Sequence, residues 1–263
     1  MKLTLCTADP AGNITLLVET PVDPAEYHSV ANQLMAIEQF HCEQVGFITE
    51  PVMGGGIRLE MMGGEFCGNA TRCAGFYHAK RSGCKNSIPV EISGCDHVLQ
   101  VEVDHDSAWA EMPLPVSVSA AEVMGTPMTA VQFDGIIHLV AETAPFPKSQ
   151  VDQLLPVLAK QFSSPAVGLL FLENDRMIPA IYVRETGSLV WENSCASGSA
   201  AVACVLASQT SDGIFRQALV QPGGTIKTEV IRRNNRTLSV RIGGEITLSD
   251  PVTIELPCGS AAK

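Results

Sequence analysis

Two cysteines stand in glycine-containing turns that lead into runs of small residues, in GGEFCGNATRC (63–73) and SCASGSAAVACVLA (194–207). Cys67 and Cys195 are separated by about half the chain, which indicates an internal repeat. A thiol at the N-terminus of a helix ionises more readily, because the helix dipole is positive there. The N–H groups that the first turn leaves unpaired also form a ready site for a carboxylate.

Two such helix starts that faced each other would form a symmetric proton-transfer device. One thiolate would remove the α-proton of an amino acid, and one thiol would return a proton from the opposite side, which inverts the stereocentre. The N–H donors would hold the substrate carboxylate and stabilise the negative charge that builds on it. Gly68 and Gly198 would let the ligand approach the backbone closely. The scheme needs no cofactor and no metal.

A single cysteine is usually a structural core residue. We assign that role to the other seven, which are Cys6, Cys42, Cys73, Cys84, Cys95, Cys204 and Cys258. No C-x-x-C pair occurs among the nine cysteines, which argues against a zinc site. Free thiols are expected in a chain without an export signal. A disulfide between Cys67 and Cys195 stays open as an oxidised, inactive form.

The composition is that of a globular protein and excludes several classes of partner. Of the 263 residues, 46% are hydrophobic and 17% are charged, so the chain can bury a full core. The net charge of −11 argues against nucleic acid, and no apolar run approaches the roughly 20 residues that span a bilayer. VMGGGIR (52–58) lacks the spacing of a P-loop. We expect a soluble, cytoplasmic protein with a small-molecule substrate, no nucleic-acid or membrane partner and, by default, a homodimeric state.

Strand-like segments surround each small-residue run, as in LTLCTA (3–8) and VGLLFLE (167–173). Residues 24–37 have helical spacing, with Asp23 and Pro24 as cap and first position. The run 151–162 is also helical, although its proline would divide it into two short pieces. RRNNR (232–236) marks a hairpin turn, and Gly83 ends the helix after Cys67.

These segments predict an α+β fold of two pseudo-symmetric halves, each a sheet wrapped around a central helix. The first half is residues 1–115, which the C-terminal strand 251–263 would complete, and the second half is residues 116–250. Each half would contribute one of the two cysteines.

The cysteine turns resemble the signature regions of the diaminopimelate epimerase family, which read Cys-Gly-Asn and Cys-Gly-Ser/Thr-Gly. Residues 67–69, followed by Arg72, match the first, and residues 195–198 match the second except at Ala196. The resemblance implies a cofactor-independent racemase or epimerase of the diaminopimelate epimerase-like fold, with two cysteine bases. The site residues that the motifs and the resemblance imply are Cys67 and Cys195 as the catalytic pair, and Asn13, Gly68, Asn69, His138, Glu192, Ala196, Ser197 and Gly198 as substrate contacts.

Three of these contacts have simpler interpretations, which stay open. His138, in the position of the family's Asn-Pro-His segment, could equally be a hydrogen-bonded core histidine. Asn13, which resembles the family's N-terminal Gly-Asn loop, could be a turn residue. Glu192 could hold the substrate ammonium or be simply exposed.

The departures from the family bear on the substrate. Ile136 replaces the family's Asn, and Glu185 and Glu192 stand where the family has a Glu-Arg-Gly stretch that grips the far end of diaminopimelate. The pattern is closer to amino-acid racemases of this fold, such as the histidine racemases that feed opine metallophore synthesis. We therefore expect a histidine racemase, with Glu43 and Gln44 as candidates for contacts with the substrate side chain. The alternatives are a diaminopimelate epimerase, a non-catalytic carboxylate-binding protein, and a hydrolase or transferase with one cysteine nucleophile.

Overall fold

A computed structural model describes residues 1–84 and 87–257 of the chain. The chain divides into two compact units, Met1–Ala110 with the segment from Glu245 onward, and Glu111–Gly244. Both units combine strands with helices, so the α+β class predicted from the sequence is confirmed. Cys258 and the last residues of the predicted closing strand lie outside the described residues. Within that part of the chain, no helix is both long and apolar enough to cross a membrane.

The strands are β1 Lys2–Asp9, β2 Thr15–Val18, β3 Gln44–Thr49, β4 Ile57–Met61, β5 Ile88–Ile92, β6 Leu99–Asp104, β7 Ser107–Glu111, β8 Ser117–Val123, β9 Thr126–Phe133, β10 Ile136–Ala141, β11 Ala166–Glu173, β12 Arg176–Val183, β13 Ser188–Trp191, β14 Gly213–Gln221, β15 Gly224–Arg233, β16 Arg236–Glu245, β17 Thr247–Leu248 and β18 Val252–Glu255. The helices are α1 Tyr27–Met35, α2 Gly68–Ser82, α3 Lys148–Gln161 and α4 Ala196–Ser208, with 3₁₀ turns at Pro24–Glu26 and Glu38–Phe40.

In the first unit, the sheet alternates between antiparallel and parallel pairing. The pairs β1–β2 and β3–β4 are antiparallel, whereas β2–β3 and β4–β5 are parallel. The sheet then continues with antiparallel β5–β6 and β6–β7. Strands β17 and β18 return from the end of the chain to pair with β1, so the C-terminal segment belongs to this sheet.

The second unit has the same internal order. The pairs β9–β10 and β11–β12 are antiparallel, and the pairs β10–β11 and β12–β14 are parallel. Antiparallel β14–β15 and β15–β16 complete the series, and β8 and β13 add to its edges. In each unit, one helix follows the second strand of this series, as α1 follows β2 and α3 follows β10. A second helix follows the fourth strand: α2 comes after β4, and α4 comes after β12 and its short partner β13. The chain is therefore built from two similar halves.

The helices that follow the two cysteines are the buried ones. Helix α2 packs against β1, β2, β4, β5 and β6, and α4 packs against β9, β10, β11, β14 and β15. Small residues allow this close packing: a Cβ atom on Gly75 would lie 2.5 Å from Cγ1 of Val101. Most residues of α2 and of α4 are buried, so the sheet wraps around a central helix in both units, as predicted.

The other two helices are amphipathic and cover hydrophobic clusters of their own. In the first unit, Tyr27 stacks on Phe47 with ring centroids 3.9 Å apart. In the second, α3 is one continuous helix with Pro156 inside it. The prediction of two short pieces is therefore wrong. The backbone cost of an internal proline is offset here because Val151 and Leu155, among others, are buried in the core.

Candidate active site

Cys67 is the N-cap residue of α2. Its backbone is extended, with φ −135° and ψ 114°, and its Sγ accepts the N–H of Ala70 at 3.4 Å. Its carbonyl oxygen accepts from the N–H and the hydroxyl of Thr71 at 2.9 and 2.8 Å. The thiol therefore takes the place that serine or aspartate usually fills at a helix start. The side chain is half-buried, and it lies where the dipole favours negative charge.

A chain of polar side chains leads from this helix start. Nδ2 of Asn69 donates to Oδ1 of Asn13 at 3.2 Å, and Nδ2 of Asn13 donates to Oε2 of Glu43 at 2.6 Å. Nε2 of Gln44 donates to Oδ1 of Asn13 at 2.9 Å. Both asparagines are buried. The structure thus connects Asn13 and Asn69 with Glu43 and Gln44 in one network beside Cys67.

Cys195 repeats this construction at the start of α4. Its φ is −115° and its ψ is 112°, and its Sγ accepts the N–H of Gly198 at 3.3 Å. The residue is more deeply buried than Cys67, with 5% of its surface exposed. Ala196, Ser197 and Gly198 form the first turn of the helix that follows. Both candidate catalytic thiols are therefore N-caps that accept an N–H from three residues ahead.

The surroundings of Cys195 favour the neutral thiol. Burial raises its pKa well above the usual range, and the charge and hydrogen bond of Glu192 raise it further. The N–H of Gly198 and the hydroxyl of Ser197 act in the opposite direction but are outweighed. Glu192 lies directly after β13 and is partly exposed. Glu185 is exposed in the turn before β13.

His138 lies on β10 and reaches the first turn of α4. Its Nε2 lies 2.9 Å from Oγ of Ser197, and that oxygen lies 3.7 Å from Sγ of Cys195. The ring is fully buried, and burial lowers its pKa to about 3, so it is neutral at physiological pH. Nδ1 has no hydrogen-bond partner within residues 1–84 and 87–257. A bare lone pair is tolerated there better than an unpaired N–H, which favours the tautomer in which Nε2–H donates to Ser197.

Gly168 makes room for this histidine and was not singled out from the sequence. The two residues are cross-strand neighbours in the parallel pair β10–β11. A Cβ atom at position 168 would lie 2.3 Å from Nδ1 of His138. The available signal was a glycine inside an apolar strand, which often marks a position where another part of the protein or a ligand approaches the backbone closely.

Gln221 and Arg72 are two further buried polar residues of these sites. Oε1 of Gln221 accepts the backbone N–H of Cys195 at 2.8 Å, and its Nε2 donates to Oγ of Ser199 at 2.9 Å. Arg72 lies in α2 with none of its surface exposed, and its Nη1 donates to Oδ1 of Asn69 at 3.4 Å. The sequence motif contained Arg72 without assigning it a role, and nothing in the sequence pattern pointed to Gln221.

The remaining described cysteines are free. Cys6, Cys73 and Cys204 are buried, and burial raises the pKa of each; Cys42, Cys84 and Cys95 are only partly buried. Cys95, Asp96 and His97 place three possible metal-ligand atoms within 4.8 Å of one another. Asp96 and His97 are exposed, and the group is separate from both cysteine turns, so we assign it no part in the site.

Comparison with known proteins identifies the family. The family model described as the histidine racemase CntK N-terminal domain matches residues 2–251. A histidine racemase from Staphylococcus aureus is 32% identical over 262 residues, which cover 91% of this chain and 92% of that protein. A histidine racemase from Fusobacterium nucleatum is 31% identical over 234 residues, which cover 83% of this chain and 85% of that protein.

Solved structures of lower identity share the fold. A phenazine biosynthesis PhzC/PhzF-type protein from Clostridium difficile has a TM-score of 0.66 at 13% identity, with 97% of this chain and 100% of that chain covered. A hydroxyproline epimerase from Agrobacterium vitis has a TM-score of 0.64 at 10% identity, with 96% and 92% covered. By its sequence relatives, this chain is an isomerase that belongs to the histidine racemase CntK family.

Proposed function

We propose that this isomerase interconverts L- and D-histidine without a cofactor, and that Cys67 and Cys195 are its two proton carriers. The observation that carries the proposal is the repeated construction of the two cysteines. Each caps a buried helix, accepts an N–H from three residues ahead, and stands at the same place in one of two similar strand series. The family match favours histidine over diaminopimelate as the substrate.

The reaction needs one proton carrier on each side of the α-carbon. One thiolate takes the α-proton, the C–H bond breaks, and its electron pair stays on the α-carbon and delocalises into the carboxylate. The electron pair on the α-carbon then takes a proton from the second thiol, which is left as a thiolate. The product is the other enantiomer, and the two sulfurs have exchanged protonation states. The sulfurs must redistribute a proton through solvent before the same enantiomer can react again.

The first turns of α2 and α4 supply the electrostatic part of this mechanism. Residues 68–69 and 196–197 place backbone N–H groups at positive helix ends, where a carboxylate binds favourably, whereas the N–H of Gly198 is directed at Sγ of Cys195. As the α-proton leaves, negative charge grows on that carboxylate, and fixed N–H donors stabilise it more than they stabilise the ground state. Glu192 would accept from the substrate ammonium group, whose charge complements its carboxylate.

Glu43 is our candidate for recognition of the imidazole side chain. It accepts from Asn13 at 2.6 Å, and Asn13 accepts from Asn69 next to Cys67. A carboxylate is a suitable acceptor for an imidazole N–H. Gln44 supports this arrangement indirectly, because its Nε2 donates to Oδ1 of Asn13 at 2.9 Å and to Oγ1 of Thr15 at 2.7 Å. Glu43→Gln should then raise KM for histidine more than it lowers kcat.

We also propose that the protein is a cytoplasmic homodimer. Each subunit would contain both proposed proton carriers, Cys67 in one unit and Cys195 in the other. The cysteines within the described residues are not joined in disulfides, which suits a reducing compartment. Two-fold dimers are the commonest oligomers of soluble enzymes. The mass of the purified protein by light scattering tests the dimer.

A substrate panel tests the proposed function. Purified protein kept reduced, with no cofactor added, is incubated with each common L-amino acid and with LL-diaminopimelate, and the enantiomers are separated by chiral chromatography. We expect D-histidine to form and diaminopimelate to remain unchanged. Turnover of diaminopimelate without turnover of histidine would overturn the substrate assignment, and binding without turnover of any amino acid would favour a non-catalytic protein.

A further inference from the structure

Arg72 is a buried cation whose hydrogen bonds go only to neutral oxygens. Its Nε donates to the carbonyl of Ala108 at 3.2 Å, and its Nη2 donates to the carbonyl of Glu245 at 3.4 Å. Its Nη1 donates to the side-chain oxygen of Asn69 at 3.4 Å, and none of its surface is exposed. Over residues 1–84 and 87–257, no carboxylate forms an ion pair with it. A buried charge is costly without an opposite charge nearby, so a partner anion must be sought.

The carboxylates on or next to the strands that pack against α2 are already engaged or exposed. Asp9 accepts from the N–H of Gly12, Glu19 pairs with Arg81, Glu60 and Glu91 both pair with Arg58, and Glu102 and Asp104 are exposed. Cys73, the neighbour of Arg72 in α2, is no substitute, because burial raises its pKa and keeps it a neutral thiol. None of these groups neutralises the guanidinium.

Cys67 is the group that remains. It is the N-cap of the same helix, five residues before Arg72, and a negative charge on its sulfur would act on the guanidinium, as would one on Cys73. Two other features at Cys67 also favour an anion there, the N–H of Ala70 directed at Sγ and the positive end of the helix dipole. Burial lowers the pKa of Arg72 to about 10, so the guanidinium still carries its charge at neutral pH.

Cys195 has the opposite surroundings. The charged group that acts on it is the carboxylate of Glu192, and the nearby His138 is neutral. A negative neighbour and deep burial both favour the protonated thiol.

We propose that Arg72 is the buried counter-charge of the Cys67 thiolate, so that Cys67 is the ionised base and Cys195 the protonated acid of the resting enzyme. This inference rests on the proposed two-cysteine mechanism. It makes Arg72 a positioning residue that acts through Cys67. It also means that the enantiomer whose α-proton points at Cys67 reacts directly, whereas the other must await proton redistribution between the sulfurs.

The pH dependence of alkylation at Cys67 tests the proposal. The reduced protein is treated with iodoacetamide between pH 5 and 10, and modification of the Cys67 peptide is followed by mass spectrometry. We expect half-maximal reactivity of the wild type below about pH 8.5, the value of an ordinary thiol. Arg72→Met should raise that pH by one unit or more, and Arg72→Lys should raise it less. Arg81→Met removes a partly exposed arginine from the same helix and should leave it unchanged.

Each outcome decides the question. An unchanged profile in folded Arg72→Met overturns the proposal, and a higher KM for histidine with that unchanged profile assigns Arg72 to the substrate carboxylate instead. If Arg72→Met does not fold, a wild-type midpoint at or above about pH 8.5 still overturns the proposal. Histidine turnover by the wild type is measured in parallel, because its absence refutes the proposed function and leaves the alkylation result to decide on Arg72.

Discussion

Nε2 of His138 lies 2.9 Å from Oγ of Ser197, and the same oxygen lies 3.7 Å from Sγ of Cys195. The histidine is fully buried and neutral, so it orients the hydroxyl without adding a charge. Ser197 is therefore placed to donate to the sulfur whenever Cys195 becomes a thiolate. Through these contacts, His138 and Ser197 stabilise the thiolate form of Cys195.

Ser197→Ala should lower kcat for histidine by about 10- to 100-fold and change KM by less than about threefold. A hydrogen bond to a charged group contributes roughly 1.5–3 kcal/mol, and 1.4 kcal/mol corresponds to a factor of ten. Steady-state racemisation of L-histidine measures the effect. Ser208→Ala at the far end of the same helix is the control and should be silent. A Ser197→Ala enzyme with wild-type kcat would show that the hydroxyl of Ser197 does not stabilise the Cys195 thiolate during turnover.

Gly168→Ala should displace His138 and lower both stability and activity. The added methyl group would lie 2.3 Å from Nδ1 of His138 and 2.7 Å from Cδ1 of Ile181. Overpacking of this kind costs about 1–3 kcal/mol of unfolding free energy, measured by urea denaturation. Gly56→Ala is the matched control, because its new methyl group would meet only ordinary contacts at 3.5 Å or more. Equal stability of the two variants would contradict the close packing at His138.

The stability of the protein should fall between pH 6.5 and 4 in part because of His138. Its pKa is about 3 in the folded protein, whereas the unfolded chain takes up a proton near pH 6.5. The unfolded state therefore binds one more proton over this range, and His138 contributes a loss of about 1.4 kcal/mol for each pH unit lowered. The full contribution of His138 to the free energy of unfolding is present above pH 6.5. His138→Gln should remove this part of the slope in urea denaturation series, and identical slopes would count against the buried neutral ring.

Glu91→Gln should destabilise the first unit. Burial alone would raise the pKa of Glu91, but the N–H groups of Val52, Gly55 and Met53, with Arg58, lower it to about 2. Replacing this fully buried carboxylate weakens several charge-assisted bonds, with an expected loss of about 2–4 kcal/mol in unfolding free energy.

Glu50→Gln, at an exposed site near the same loop, is the control for Glu91→Gln and should stay within about 0.5 kcal/mol of the wild type. The stabilising effect of Glu91 should be present above pH 4.5 and decrease as the pH falls towards 2. A Glu91→Gln variant as stable as the control would show that the loop does not depend on the carboxylate.

Local signals in the sequence predicted much of the fold. Gly83 ends α2 with a left-handed φ of 71°, and the turn between β15 and β16 places Asn234 and Asn235 at positive φ, as the RRNNR stretch indicated. Both predictions depend on single-residue conformational preferences. The break predicted at Pro156 was wrong, because burial on both sides of the proline outweighs its local cost.

The site was predictable only where it repeats a motif. The position of each cysteine at a helix start followed from the glycine-containing turns and the small residues after them. The pairing of His138 with Gly168 depends on the register between two strands, which no local pattern in the sequence specifies. The same holds for Gln221, whose contact with Cys195 joins residues from different elements.

The most direct test of the account is inversion of histidine in deuterated water by the wild type, Cys67→Ala and Cys195→Ala. Proton NMR follows loss of the α-hydrogen signal, and chiral chromatography follows the enantiomers, starting from L- and from D-histidine. We predict that the wild type incorporates deuterium and inverts both enantiomers, and that each variant inverts about 10²- to 10⁴-fold more slowly. Inversion at the wild-type rate by either variant would contradict the two-cysteine mechanism.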